Sequence, residues 1–213
     1  MLTIDCIAVG PFEANCCLIW GSARQALVLD PGADTDTILN ALERHRLAVA
    51  AYLVTHGHMD HVGGLGEITR LFPAPVAMHP ADAAWAFTPA NQALPYYETP
   101  GQPAAIDRKL ADGQRYNDGE VAYEVIATPG HTPGGVCFYF KNEKALFSGD
   151  TLFSGSIGRT DFPGSDESLM EQSLRRLTGL PDDTFVYPGH GPRTTIGHEK
   201  KHNPFLRPAA YPR

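Results

Sequence analysis

The chain has 213 residues, 43% hydrophobic and 19% charged, with 17 lysines and arginines against 24 aspartates and glutamates, a net charge of −7 with neutral histidines. That length suits one domain, 1–213, with a core large enough to hold without disulfide or metal, and an acidic balance with no basic cluster excludes a general nucleic-acid partner. No run approaches the roughly 18 apolar residues of a membrane span, and Met1-Leu2-Thr3-Ile4-Asp5 lacks the basic start of a signal peptide, so a cytoplasmic protein is expected.

Leu2, Ile4 and Cys6 alternate with Thr3 and Asp5, the period of a half-buried strand. Cys16–Trp20 and Ala26–Asp30 follow as a hairpin turning at Gly21-Ser22, and Pro31-Gly32 ends the pair. Ile38, Leu39, Ala41 and Leu42 make an apolar stripe at helical spacing. Ala51–Thr55 reads as a buried strand running into His56, and Gly66–Phe72 as a helix stopped by Pro73. Val76–Met78 is a short strand and Ala81–Phe87 a short helix. Prolines and glycines at 89, 95, 100, 101, 103 and 113 deny any long element across 88–113, leaving a loop of the kind that walls or covers a site. Val121–Ala127, Gly135–Phe140 and Lys144–Ser148 are strands, the last two joined by a turn at Asn142. Ser165 can cap a helix that buries Met170, Leu174 and Leu177, with Asp166 and Glu167 at its positive end. Thr184–Tyr187 is the last strand. This order predicts an α/β sandwich of two sheets with outer helices.

Cys6, Cys16, Cys17 and Cys137 include no CxxC pair, so they are expected as buried small hydrophobes with neither a zinc knuckle nor a disulfide framework. The histidines are more informative. His56, His58 and His61 follow one predicted strand, His131 a second and His190 a fourth; Asp150 ends a third. Side chains two apart on an extended chain point the same way, so His56 and His58 can share one metal ion. Asp60 and His61, just beyond, can turn toward another. Gly57, Gly130, Gly149 and Gly189 let these loops turn sharply. His45, His79 and His198 are expected in solvent; His202, before Asn203-Pro204-Phe205, can be solvated or fold back toward the site.

The pattern His56-x-His58-x-Asp60-His61, followed by His131, Asp150 and His190, resembles the metallo-β-lactamase superfamily of αββα metallohydrolases, from Asp30-Pro31-Gly32 through His190. Within it, Gly158-Arg159-Thr160-Asp161-Phe162-Pro163, Pro188-Gly189-His190-Gly191-Pro192 and His202-Asn203-Pro204-Phe205 resemble the short bacterial glyoxalase II (hydroxyacylglutathione hydrolase) type. The resemblance implies that His56, His58 and His131 hold a first metal, that Asp60, His61 and His190 hold a second, and that Asp150 bridges them. Two divalent ions are expected, zinc first, with iron or manganese as alternatives, since the set lacks thiolate. Two carboxylates and a hydroxide would leave such a centre with about one positive charge, useful against a developing oxyanion.

The expected reaction is hydrolysis of a small-molecule thioester, S-lactoylglutathione first, to D-lactate and glutathione, with Asp60 as the catalytic residue binding metal and orienting the attacking hydroxide. Asp30 and Thr55 can be partners orienting these ligands; Asp30 can instead be a turn residue before Pro31-Gly32. In longer glyoxalase II enzymes a helical C-terminal domain, a lysine matching Arg159 and tyrosines matching Asp161 and Pro192 grip glutathione. Of these only the charge of Arg159 remains, either clamping a substrate carboxylate or pairing with Asp161. A mono-iron persulfide dioxygenase, whose family shares the Gly158–Phe162 run, is the alternative; it typically has glutamine where Pro163 stands.

Overall fold

A computed structural model describes residues 2–206. One six-stranded sheet runs β1 (Thr3–Val9), β2 (Ala14–Trp20), β3 (Gln25–Leu29), β4 (Ala48–Leu53), β5 (Val76–Met78) and β6 (Arg108–Lys109), in that spatial order. β1, β2 and β3 pair antiparallel, and β3 through β6 pair parallel. The other six-stranded sheet is built from β7 (Arg115–Asp118), β8 (Val121–Ala127), β9 (Val136–Phe140), β10 (Ala145–Gly149), β13 (Phe185–Pro188) and β14 (Thr194–Thr195). Its order is β14-β13-β10-β9-β8-β7, and only β10 and β13 run parallel. Between β10 and β13 lies a two-stranded ribbon, β11 (Leu152–Phe153) with β12 (Ser156–Ile157). The helices are α1 (Thr35–Arg44), α2 (Met59–Val62), α3 (Leu65–Leu71), α4 (Pro80–Ala83), α5 (Glu167–Leu177) and α6 (Ile196–His202).

Strand alternation builds four layers. Cys17, Ile19, Leu27 and Leu29 face Val125, Phe138, Phe140 and Phe147 across the space between the sheets. Their neighbours Cys16, Leu18, Trp20 and Val28 face outward onto Ile38, Leu42, Leu65 and Ile68 of α1 and α3. On the far side, Cys137, Tyr139 and Leu146 meet Met170, Leu174 and Leu177 of α5. Central strands are thus buried on both faces, which is why they read as continuous apolar runs and not as alternation. This is the αββα sandwich the sequence predicts.

Four details differ from expectation. Cys6 and Cys17 form a disulfide, and Cys6 is exposed. The two stand directly opposite in the β1–β2 register, with Cα atoms 4.1 Å apart, a pairing that spacing along the chain does not reveal. Asp166, not Ser165, caps α5 by accepting from the Leu169 amide, while the Ser165 hydroxyl donates to the His131 carbonyl. His79 is a cap, accepting from the Ala81 amide. The segment read as a helix over 81–87 is helical only across Pro80–Ala83. Among the described residues, no helix is long and apolar enough to cross a membrane.

Candidate metal centre

The loops leaving β4, β8, β10 and β13 meet at one edge of the sandwich and bring seven side chains together: His56, His58, Asp60, His61, His131, Asp150 and His190. Two of these loops need glycine at close quarters. A Cβ on Gly189 would lie 2.1 Å from Asp150 Oδ1, and one on Gly149, at φ +49°, would lie 2.5 Å from Thr55 Oγ1.

Hydrogen bonds on the far side of each ring decide which nitrogen is offered inward. His61 Nδ1 donates to Asp30 Oδ2 (3.0 Å), His131 Nδ1 to the Arg159 carbonyl (2.8 Å) and His190 Nδ1 to the Phe12 carbonyl (2.9 Å). The Thr55 hydroxyl donates to Asp30 Oδ2 (2.6 Å) and so receives His56 Nδ1 (3.1 Å). Each of these rings, when neutral, therefore presents a bare Nε2. His61 Nε2 and His190 Nε2 stand 3.3 Å apart, and His58 Nδ1 stands 2.9 Å from His131 Nε2. Two lone pairs at such a distance repel unless a proton or a metal cation lies between them.

The inward atoms fall into three groups whose members lie within 4.8 Å of one another: His56, His58 and His131; His56, His61 and Asp150; and Asp60, His61 and His190. His56 Nε2 and Asp150 Oδ1 are buried without a hydrogen-bond partner among the described residues. Asp150 lies between the outer groups, 3.4 Å from His61 Nε2, 3.5 Å from His131 Nε2 and 3.6 Å from His190 Nε2. Orphaned inward donors, fixed tautomers and a shared carboxylate fit a pair of divalent ions.

The two ends differ electrically. Burial, reinforced by the charges of neighbouring histidines, pushes His56 well below its usual value and His58 down to about 3, so both stay neutral and ready as ligands. Burial acts on His61 in the same direction, but Asp60, Asp150 and Asp30 outweigh it and lift its value to about 10. Burial favours a neutral Asp60, yet His61 and His190 hold its carboxyl well below the usual range. At neutral pH the metal-free second set thus holds a proton where a cation would go. Loading a divalent ion there is expected to release it, and affinity should rise with pH, by up to about tenfold per unit below pH 10. Titrating zinc into weakly buffered metal-free protein with a pH indicator measures the release; uptake without proton release would show the second set already neutral.

Asp30 is one of the anchors. Its backbone is left-handed, at φ +48°, and its carboxylate accepts from the Thr55 amide (2.7 Å), the Thr55 hydroxyl and His61. Two further anchors were not anticipated from sequence. Asp82, fully buried, accepts from the Gly57 amide (2.8 Å), the Gly134 amide (2.7 Å) and the Thr132 hydroxyl (2.7 Å), tying the His56 loop to the His131 loop. Asn91 donates to the Gly57 and Ala86 carbonyls and accepts from the Met59 amide. An aspartate inside the otherwise apolar Ala81–Phe87 stretch was the available signal for the first; a polar residue in a proline-rich loop gave none for the second. At the other end, Asn15 Nδ2 donates to the Pro188 and Gly191 carbonyls, and its amide donates to Gly189, fixing the loop of His190.

Arg159 lies at the rim, bonded through Nε and a terminal nitrogen to both oxygens of Asp161 and stacked 4.3 Å over the Phe162 ring. His202 does not reach the site; it is exposed and packs against His198.

Residues 9–190 match the Metallo-beta-lactamase superfamily model. The hydroxyacylglutathione hydrolase GloC of Haemophilus influenzae is 35% identical over 212 residues, covering 96% of this chain and 98% of that protein. Among solved structures, the B3 metallo-beta-lactamase BLEG-1 superposes with a TM-score of 0.90 at 38% identity, over 96% of this chain and 99% of that one. TTHA1623 in a di-iron-bound form gives 0.81 at 35% identity, covering 95% and 100%. ETHE1 from Myxococcus xanthus gives 0.79 at 29%, covering 95% and 83%.

Proposed function

The chain belongs to the metallo-beta-lactamase superfamily, and from that premise we propose that it is, as one domain over 1–213, a dinuclear metal-dependent thioester hydrolase acting on glutathione conjugates, with S-lactoylglutathione as the leading substrate. The observation that carries this reading is the pair of inward-facing donor sets joined through Asp150. Likeness to the GloC hydrolase along nearly the whole chain supports the substrate class. In this reading His56, His58 and His131 hold one ion, Asp60, His61 and His190 the other, and Asp150 both. Zinc suits the set, and iron does as well, as in the di-iron form of TTHA1623.

When bound, such a pair of ions supplies a water acidified to near neutrality and positive charge for a carbonyl oxygen. The chain's own residues do the rest. Asp60, whose carboxyl His61 and His190 hold well below its usual range, accepts a hydrogen bond from the attacking water and turns it toward the carbonyl carbon. Asp30, Phe12 and Arg159 keep the ring tautomers that present Nε2 inward. The carbon–sulfur bond breaks with its electrons on sulfur, and a thiol pKa near 8.5 lets the thiolate leave without a strong general acid. The products are a carboxylate and a thiol.

The test combines metal analysis with two assays on one purified sample. Two ions per chain and thiol release from S-lactoylglutathione without oxygen uptake are expected. One iron per chain and oxygen consumption with glutathione persulfide would replace this reading with a mono-iron persulfide dioxygenase. S-lactoylglutathione cleaved no faster than unrelated thioesters would remove the named substrate and leave the chemistry.

A further inference from the structure

The two sides of the site mouth are chemically unlike. Beside the first donor set, Phe162 makes edge contacts with His58 and His131, ring centroids 5.4 and 5.9 Å away, and carries the Arg159 guanidinium over its ring. Beside the second set the wall is apolar. Phe12, on the turn between β1 and β2, gives its carbonyl to His190 and leaves its ring 41% exposed. Tyr96 lies 5.7 Å from that ring and Tyr97 5.1 Å. Tyr97 is buried beneath, in space that exists because residue 10 is glycine: a Cβ there would stand 2.1 Å from the Tyr97 hydroxyl. The bridge between Ala93 and Tyr97 holds the intervening turn, so Leu94 and Tyr96 project from a fixed backbone at 65% and 62% exposure.

Phe12 and Tyr96, adjoining a reactive centre through His190 and braced by Tyr97, with exposed Leu94 two residues before Tyr96, mark a surface that expects an apolar partner. The occupant is set by direction. A glutathione thioester has a thiol half with two carboxylates and one ammonium, and an acyl half; the charged Arg159–Asp161 pair suits the former and the apolar side the latter. We infer that Phe12, Leu94 and Tyr96 form an acyl-binding wall, and that the substrate class extends beyond lactoyl to thioesters with apolar acyl chains of several carbons. The inference rests on the thioester reading and adds to it the group that selects among thioesters.

Binding of non-hydrolysable thioethers separates the two ideas, because the alkyl group on sulfur stands where the acyl chain would stand. On metal-loaded protein S-hexylglutathione is expected to bind at least about tenfold tighter than S-methylglutathione, a fraction of what full burial of five methylenes would give. A Leu94→Ala/Tyr96→Ala double variant should bring that ratio to about twofold or less, with unchanged metal content and circular dichroism. The corresponding turnover readout is the ratio of kcat/KM for S-hexanoylglutathione to that for S-lactoylglutathione, which should fall about tenfold in the double variant. Equal affinities in the parent protein, or a ratio the double variant leaves untouched, would overturn the wall. A hexyl preference that depends on Leu94 and Tyr96 in a protein that cleaves no thioester would support the wall and remove the hydrolase reading instead.

Discussion

Asp60→Asn is expected to lower kcat for thioester hydrolysis by about a thousandfold or more while the protein stays folded and keeps its first ion. Asp60 Oδ2 lies 3.2 Å from His190 Nε2 and 3.7 Å from His61 Nε2, and the surrounding positive charge keeps the carboxyl ionised. Asparagine preserves the shape but removes the charge and turns one acceptor into a donor. Both proposed roles suffer: the second set loses its only carboxylate besides the shared Asp150, and the attacking water loses its acceptor. Losses of roughly 100- to 10,000-fold are typical when one positioned proton acceptor is removed. Steady-state kinetics with metal analysis of the same preparation reads the result. Near-normal kcat with a single bound ion would end the two-ion mechanism.

The second large effect concerns a residue remote from substrate. Asp82→Ala is expected to cost about 3–5 kcal/mol of stability, because it strands two buried amides and one buried hydroxyl that all donate to one carboxylate. The damage should also have a direction. Gly57 sits between His56 and His58, and Thr132 follows His131, so the first donor set should loosen far more than the second. Denaturant unfolding gives the stability change; zinc titration should show one site weakened by about 10- to 100-fold. Unchanged unfolding and two unchanged affinities would show that the loops hold themselves.

What could be read from the sequence was what neighbours in the chain determine. His56, His58, Asp60 and His61 fall between the end of β4 and the first turn of α2, and together with His131, Asp150 and His190 after other strands they announce a ligand cluster. Buried strands such as Val136–Phe140 announce themselves by composition. Much of what fixes the site is set by partners far apart. Asp82 looks like an ordinary helix-start acid until Gly134, 52 residues on, is seen beside it. Cys6 and Cys17 look like unrelated thiols until the hairpin register sets them opposite. β7 (Arg115–Asp118), the β11–β12 ribbon and α6 were missed because they are short, polar or charged, and owe their form to edge pairing and tertiary contacts more than to any apolar period. Asp30 could be read two ways because its left-handed turn and its grip on His61 are visible only together.

The grip of Asn15 on the carbonyls of Pro188 and Gly191 has a temporal consequence. His56, His58 and His131 all emerge from a ribosome well before His190, so a partly synthesised chain already carries the material of one cation site. The other is complete only when the loop after β13 meets the β1–β2 hairpin, a contact across more than 170 residues. In the proposed two-ion reading, a chain in which this contact has not formed lacks one member of the second donor set, His190.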